Sequence, residues 1–118
     1  MNVFGDVRTI PASEGAKNIM KELREKLTDL FEEQRVVWQL GASLGIINDK
    51  TYEAESLGTF QNINSLDPDD VFQAIMLALM PNATGEERLK KLVGYAEWGI
   101  REIYKKYQNG KLDDIYNI

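Results

Sequence analysis

The chain has 118 residues with a net charge of −5, and 43% apolar against 28% charged residues places it among globular chains that bury a core without disulfides or a structural metal. It contains neither cysteine nor histidine, which excludes zinc-finger spacing, thiol chemistry, Ser/His or Cys/His triads and imidazole acid–base catalysis. The acidic balance argues against a nucleic-acid partner, because phosphate binding draws on Lys and Arg releasing counterions.

Residues 1–12 form an N-terminal arm whose Val3, Phe4, Val7 and Ile10 predict docking as a strap or short strand. Residues 1–11 hold no apolar run of signal-peptide length, the longest apolar run, Ala74 to Met80, is far below spanning length, and Asn2 stands where myristoylation needs glycine. A cytoplasmic chain that contacts no membrane is the expectation, and the Asn82-Ala83-Thr84 sequon is read as accidental.

A first helix is predicted from Ser13, an N-cap residue followed by Glu14. Ala16, Met20, Leu23, Leu27 and Leu30 recur at helical spacing and make one packing seam, which Gln34 interrupts. The pattern extends this helix to about residue 40. Gly41 and Gly45 then loosen it, and Asn48-Asp49 ends it. Residues 50–57 suit a short helix, and 59–66 read as loop.

Asp67-Pro68-Asp69-Asp70 predicts a helix start with an Asp N-cap and proline in the first turn. The helix runs from Val71 to Met80 with almost no polar face and stops at Pro81, so it is expected to be the central, buried one. Thr84 and Glu87 fit a capping box that opens the last long helix, and Gly110 closes it. Leu89, Val93, Ala96, Ile100, Ile103 and Tyr107 form its seam, while acid-first pairs such as Glu97/Arg101 mark a solvated face. Gly94 and Gly99, inside this helix, predict close approach of another segment. Residues 111–118 are a C-terminal tail.

The predicted architecture is therefore all-α: a single helical domain over 1–118, an irregular bundle of four to five helices with the 68–80 helix at its centre. No phosphate loop, dinucleotide fingerprint or metal-binding spacing is present, and no cofactor or metal is expected. Trp98 falls opposite the seam of the last helix, beside Tyr95, Arg101 and Lys105. An aromatic among cations on such a face suits a protein-contact anchor, since Trp, Tyr and Arg are enriched at binding hot spots.

Leu23-Arg24-Glu25-Lys26-Leu27, with Asp49 to Leu57 and Phe72-Gln73-Ala74-Ile75, loosely resembles segments of the small helical chorismate mutases over about a third of the chain. That resemblance implies a dicarboxylate pocket in which Arg24, Arg35 and Glu53 would serve. Arg24 and Arg35 are too closely spaced for the family pattern, however, and no arginine stands beside Glu53. The first expectation is a non-enzymatic protein-binding chain, regulatory, adaptor or inhibitory, with a phage or mobile-element origin suggested by small size. A structural homo-oligomer, such as a homodimer, ranks second and the mutase-like enzyme third.

Overall fold

The computed structural model describes residues 2–117 and runs β1 (Thr9–Ser13), α1 (Glu14–Lys26), α2 (Gln34–Asn48), β2 (Leu57–Asn62), α3 (Ile63–Leu66), α4 (Val71–Leu79) and α5 (Gly85–Gln108), ending in a 3-10 segment (Leu112–Asn117). Five helices dominate, but β1 and β2 pair antiparallel, so the fold is mostly helical and not all-α. The register slips between Ile10 and Pro11, leaving Phe60 as an extra residue in β2. Proline donates no hydrogen bond, and a bulge opposite it accommodates that loss. Residues 59–66, read from sequence as loop, are instead most of β2 and the whole of α3; the strand forms because the arm supplies a partner some fifty positions away.

The arm docks as a short strand, except that Val7, expected to dock with it, is exposed. Val3, Phe4 and Ile10 are buried, and the Arg88 guanidinium ties the arm to the α4–α5 turn by donating to the carbonyls of Val3, Met80 and Pro81.

The predicted first helix is two helices. Ser13 Oγ accepts from Ala16 N at 3.0 Å and starts α1, whose Ala16, Met20 and Leu23 are buried as the seam requires. The chain leaves the helix at Leu27 and turns, which buries Phe31 and leaves Leu30 exposed. Gln34 opens α2 and is not a residue within a continuous seam. Asp49, in the left-handed conformation at φ 49°, ends α2. Residues 50–56 form no helix but an extended strap.

The largest correction concerns the centre of the fold. Of α4's nine residues only Phe72 and Met76 are buried, with Phe72 edge-on to Trp38 at 5.3 Å. The central helix is α5, buried at Leu92, Val93, Tyr95, Ala96, Glu97, Gly99, Ile100 and Ile103, hence on more than its predicted seam. Three glycines make this possible. A methyl group on Gly99 would lie 2.7 Å from Gly41 Cα, one on Gly41 would lie 2.9 Å from Ile100 N, and one on Gly45 would lie 2.7 Å from Tyr95 Cα. Helices α2 and α5 therefore cross backbone to backbone. Gly41 and Gly45 form the crossing and do not loosen the helix.

The predicted caps of α5 are present: Thr84 and Glu87 exchange both capping-box bonds, and Gly110 follows the helix at φ 67°. Asp67 also caps, from further out than predicted. The helix begins at Val71 after a left-handed Asp70, and the buried Asp67 carboxylate accepts from Phe72 N at 3.0 Å and Gln73 N at 2.9 Å. Asp67→Ala should lower the unfolding free energy by about 1–2 kcal/mol in urea denaturation, as loss of a doubly bonded cap does.

Candidate functional site

The middle of α5 carries a buried polar network that begins at Ser13. Its backbone N–H donates to Glu97 Oε2 at 3.0 Å and its hydroxyl to Glu97 Oε1 at 2.6 Å. Glu97 is 1% exposed, and Arg101 one turn later donates to the same Oε1 at 2.8 Å. The Arg101 guanidinium lies 3.8 Å from the centroid of the Tyr52 ring, on the strap. Tyr52 N donates to the Gly94 carbonyl at 3.0 Å, and Thr51 rests where a side chain at position 94 would project. The strap thus crosses α5 at its glycine, and one buried carboxylate joins β1, α5 and, through Arg101, the strap.

This arrangement relocates the residues predicted to bind a partner. Tyr95 is 4% exposed, and its hydroxyl donates to Asp49 Oδ1 at 2.8 Å, holding the left-handed end of α2. It is removed from the exposed face because α2 packs directly on this part of α5. Arg101 is engaged by Glu97 and Tyr52, and Trp98 is half-buried against the core. Lys105 is exposed and pairs with Glu102 at 2.7 Å. Four residues read as one contact patch therefore divide between core, network and surface. Glu97, read as part of a solvated face, is buried because the strap and β1 cover that side. Gly94, on the same face as Trp98 and Arg101, was the signal for a covering segment.

Burial, then the hydrogen bond to Asp49 and that group's negative charge, push the Tyr95 hydroxyl up to about 12 from its usual 10. Its folded value exceeds its unfolded one, so its contribution to stability is whole below pH 10 and is lost as pH rises towards 12. Tyr95→Phe should cost ~1 kcal/mol near neutral pH. Denaturation of both proteins at neutral pH and near pH 11 checks this: the gap should narrow as pH rises.

Ser13 and Glu97 superficially resemble a nucleophile and its base. The hydroxyl, however, is spent on Glu97 and Ala16 N, and Ser13 is buried. The network braces elements and presents no reacting atom to a cleft. Among the described residues, every buried side-chain nitrogen and oxygen has a hydrogen-bond partner, and no group of three Asp or Glu is placed to hold a metal.

Two surface clefts bear on the sequence expectations. One, of about 620 Å³, is lined by Arg24, Arg35, Glu33, Gln61 and Asn64, with Arg35 held by Glu33. Glu53 does not line it. It lies in a second, more apolar cleft of about 700 Å³ between the strap and α5, beside Tyr52, Leu57, Leu89 and Val93, and pairs with Lys90 at 3.6 Å. The residues that a mutase-like pocket would need are thus split between two clefts.

The surface of α4 is the remaining feature. Val71 and Leu79 are each 53% exposed, and Ala74 and Ala78 are exposed between them. With half-buried Ile75 these residues stand at i, i+3, i+4, i+7 and i+8, one continuous helix face. Beside it, a groove of about 690 Å³ runs between the arm and α4, lined by Val7, Ile63, Ala74, Asp70 and Arg8 among others.

No protein-family model, curated protein or solved structure matches this chain. No helix among the described residues is long and apolar enough to cross a membrane.

Proposed function

We propose that this chain is a small, non-enzymatic protein-binding domain, regulatory, adaptor or inhibitory in action, that engages its partner through the outward face of α4. One observation carries the reading: the most apolar helix of the chain buries only two of its nine side chains. Isolated exposed leucines are ordinary, but a contiguous apolar helix face marks an interaction surface. Burying such a face contributes roughly 25 cal/mol per Å² removed from water, a gain the monomer leaves unrealised. The α5 surface supports the reading less, since Tyr95 and Arg101 are already occupied and Trp98 packs against the core.

Val71→Ser and Leu79→Ser separate binding from folding. Each should change stability by no more than about 0.5 kcal/mol, as surface substitutions do, while weakening association by ~2 kcal/mol. Urea denaturation and affinity measurement on the same variants test it. A stability loss above ~2 kcal/mol at both sites would make this face part of the core and end the proposal. A wild-type dimer in light scattering that these substitutions dissociate would assign the face to a homo-oligomer instead.

A further inference from the structure

The geometry points to a lysine- or arginine-rimmed amphipathic helix of a partner protein as the occupant of the α4 face, an inference that rests on the reading of that face as an interface. Between Thr51 and Glu87 the chain carries seven acids and no lysine or arginine. Of these seven, Glu53 and Glu55 lie on the strap and Asp67 is buried as the cap, which leaves Asp69, Asp70, Glu86 and Glu87 as the exposed acids that flank α4 in the chain. Asp69 and Asp70 are exposed at the helix's N-terminal end, and Glu86 and Glu87 are exposed beyond the turn at its other end. The face between them bears no charge from Val71 to Gly85. Among the described residues lining the adjacent groove, the cation is Arg8, beside Asp70.

An apolar strip with acids beyond both ends is complementary to a helix that presents aliphatic side chains on one face and cations along its border, the helix-in-groove mode of recognition. Ala74 and Ala78, three and seven positions after Val71, keep the centre of the strip low, so an incoming helix can approach closely there. A second copy of this chain fits less well. A two-fold interface meets itself, and pairing α4 with α4 would bring two acidic segments together, an arrangement that like-charge repulsion opposes.

The test uses the full chain and two synthetic amphipathic helices, one of leucine and lysine and one of leucine and glutamate, titrated by calorimetry, with light scattering on the protein alone. The leucine–lysine helix should bind and the leucine–glutamate helix should not. Leu79→Asp is the deciding variant because it adds negative charge while spoiling the apolar strip. Docking on α4 predicts roughly tenfold or greater weakening. Attraction to an acidic surface alone predicts equal or tighter binding and would overturn the inference. Val71→Asp repeats the test at the other end of the helix, where an acid suits the first turn and keeps the variant folded. Asp69→Asn with Asp70→Asn should weaken binding about threefold at low salt and have little effect at ~0.5 M salt, where exposed charges are screened; asparagine retains the left-handed backbone needed at Asp70. If the basic helix fails to bind but the wild-type protein is a dimer that Leu79→Asp dissociates, the partner inference falls and the α4 interface stands. If the chain is monomeric and binds neither helix, both fall.

Discussion

Gly99→Ala should lower the unfolding free energy by roughly 3 kcal/mol or more, the upper range for overpacking a close contact. Intrinsic helix propensity predicts the opposite sign, since alanine is favoured over glycine inside a helix by about 1 kcal/mol. The environment decides. The new methyl group would overlap the Gly41 carbonyl and lie 2.7 Å from Gly41 Cα, and these are backbone atoms that no rotamer change can move aside. Relief requires separating α2 from α5, which opens the core around Trp38, Ala42, Ala96 and Ile100. Gly94→Ala is the graded control. Its methyl would meet Thr51 Cβ at 3.0 Å, on a strap that can shift, so a smaller loss is expected. Urea denaturation of the two variants beside wild type measures both. A neutral or stabilising Gly99→Ala would show that α2 and α5 do not cross at these glycines.

The parts of this fold legible in the sequence are those fixed by local chemistry. Thr84 and Glu87 announced α5 because a capping box is complete within four residues, and Gly110 closed it for the same local reason. Ala16, Met20 and Leu23 gave the buried face of α1 by periodicity alone. What escaped was non-local. Residues 57–62 become a strand only because 9–13 lie beside them, and neither segment encodes the other's position. The break after α1 escaped because Leu27 and Leu30 continue the helical period, while the burial of Phe31 that competes with it depends on the packed core.

The misplacement of α4 has a different origin. An all-round apolar pattern records a demand for burial without saying which surface meets it, and glycines at 41, 45 and 99 allowed α5 to take the centre instead. The candidate site was only partly legible for the same reason. Trp98 stands out in the sequence as a large aromatic on a face read as solvated, with Arg101 among that face's cations; the strap that meets Arg101 through Tyr52 is foreshadowed by Gly94 but not identifiable from it.

Glu97→Ala tests how much of the fold depends on that cover. The substitution removes the acceptor for Ser13 N, Ser13 Oγ and Arg101 Nη1 at once, leaving a buried N–H unpaired and a guanidinium without its counter-ion. Breaking a buried pair by deleting one partner typically costs about 3–5 kcal/mol. The Arg101 side chain is 24% exposed, so water relieves part of its stranded charge, and the lower end of that range is expected. Glu97→Gln keeps the shape and one acceptor oxygen and should fall between the variant and wild type. Removing Arg101 as well, in Glu97→Ala with Arg101→Ala, should recover part of the loss, and the resulting cycle gives the coupling of the pair. A brace also makes a local prediction. With Arg101 released, Tyr52 loses the cation stacked on its ring, so the strap should open more readily and proteolysis after the exposed Lys50 should accelerate well below the unfolding transition. Stability lost without faster cleavage at Lys50 would confine Glu97 to holding β1 on α5. Faster cleavage in Glu97→Ala, suppressed in Glu97→Gln, would establish that one buried carboxylate secures the strand and, through Arg101, the strap.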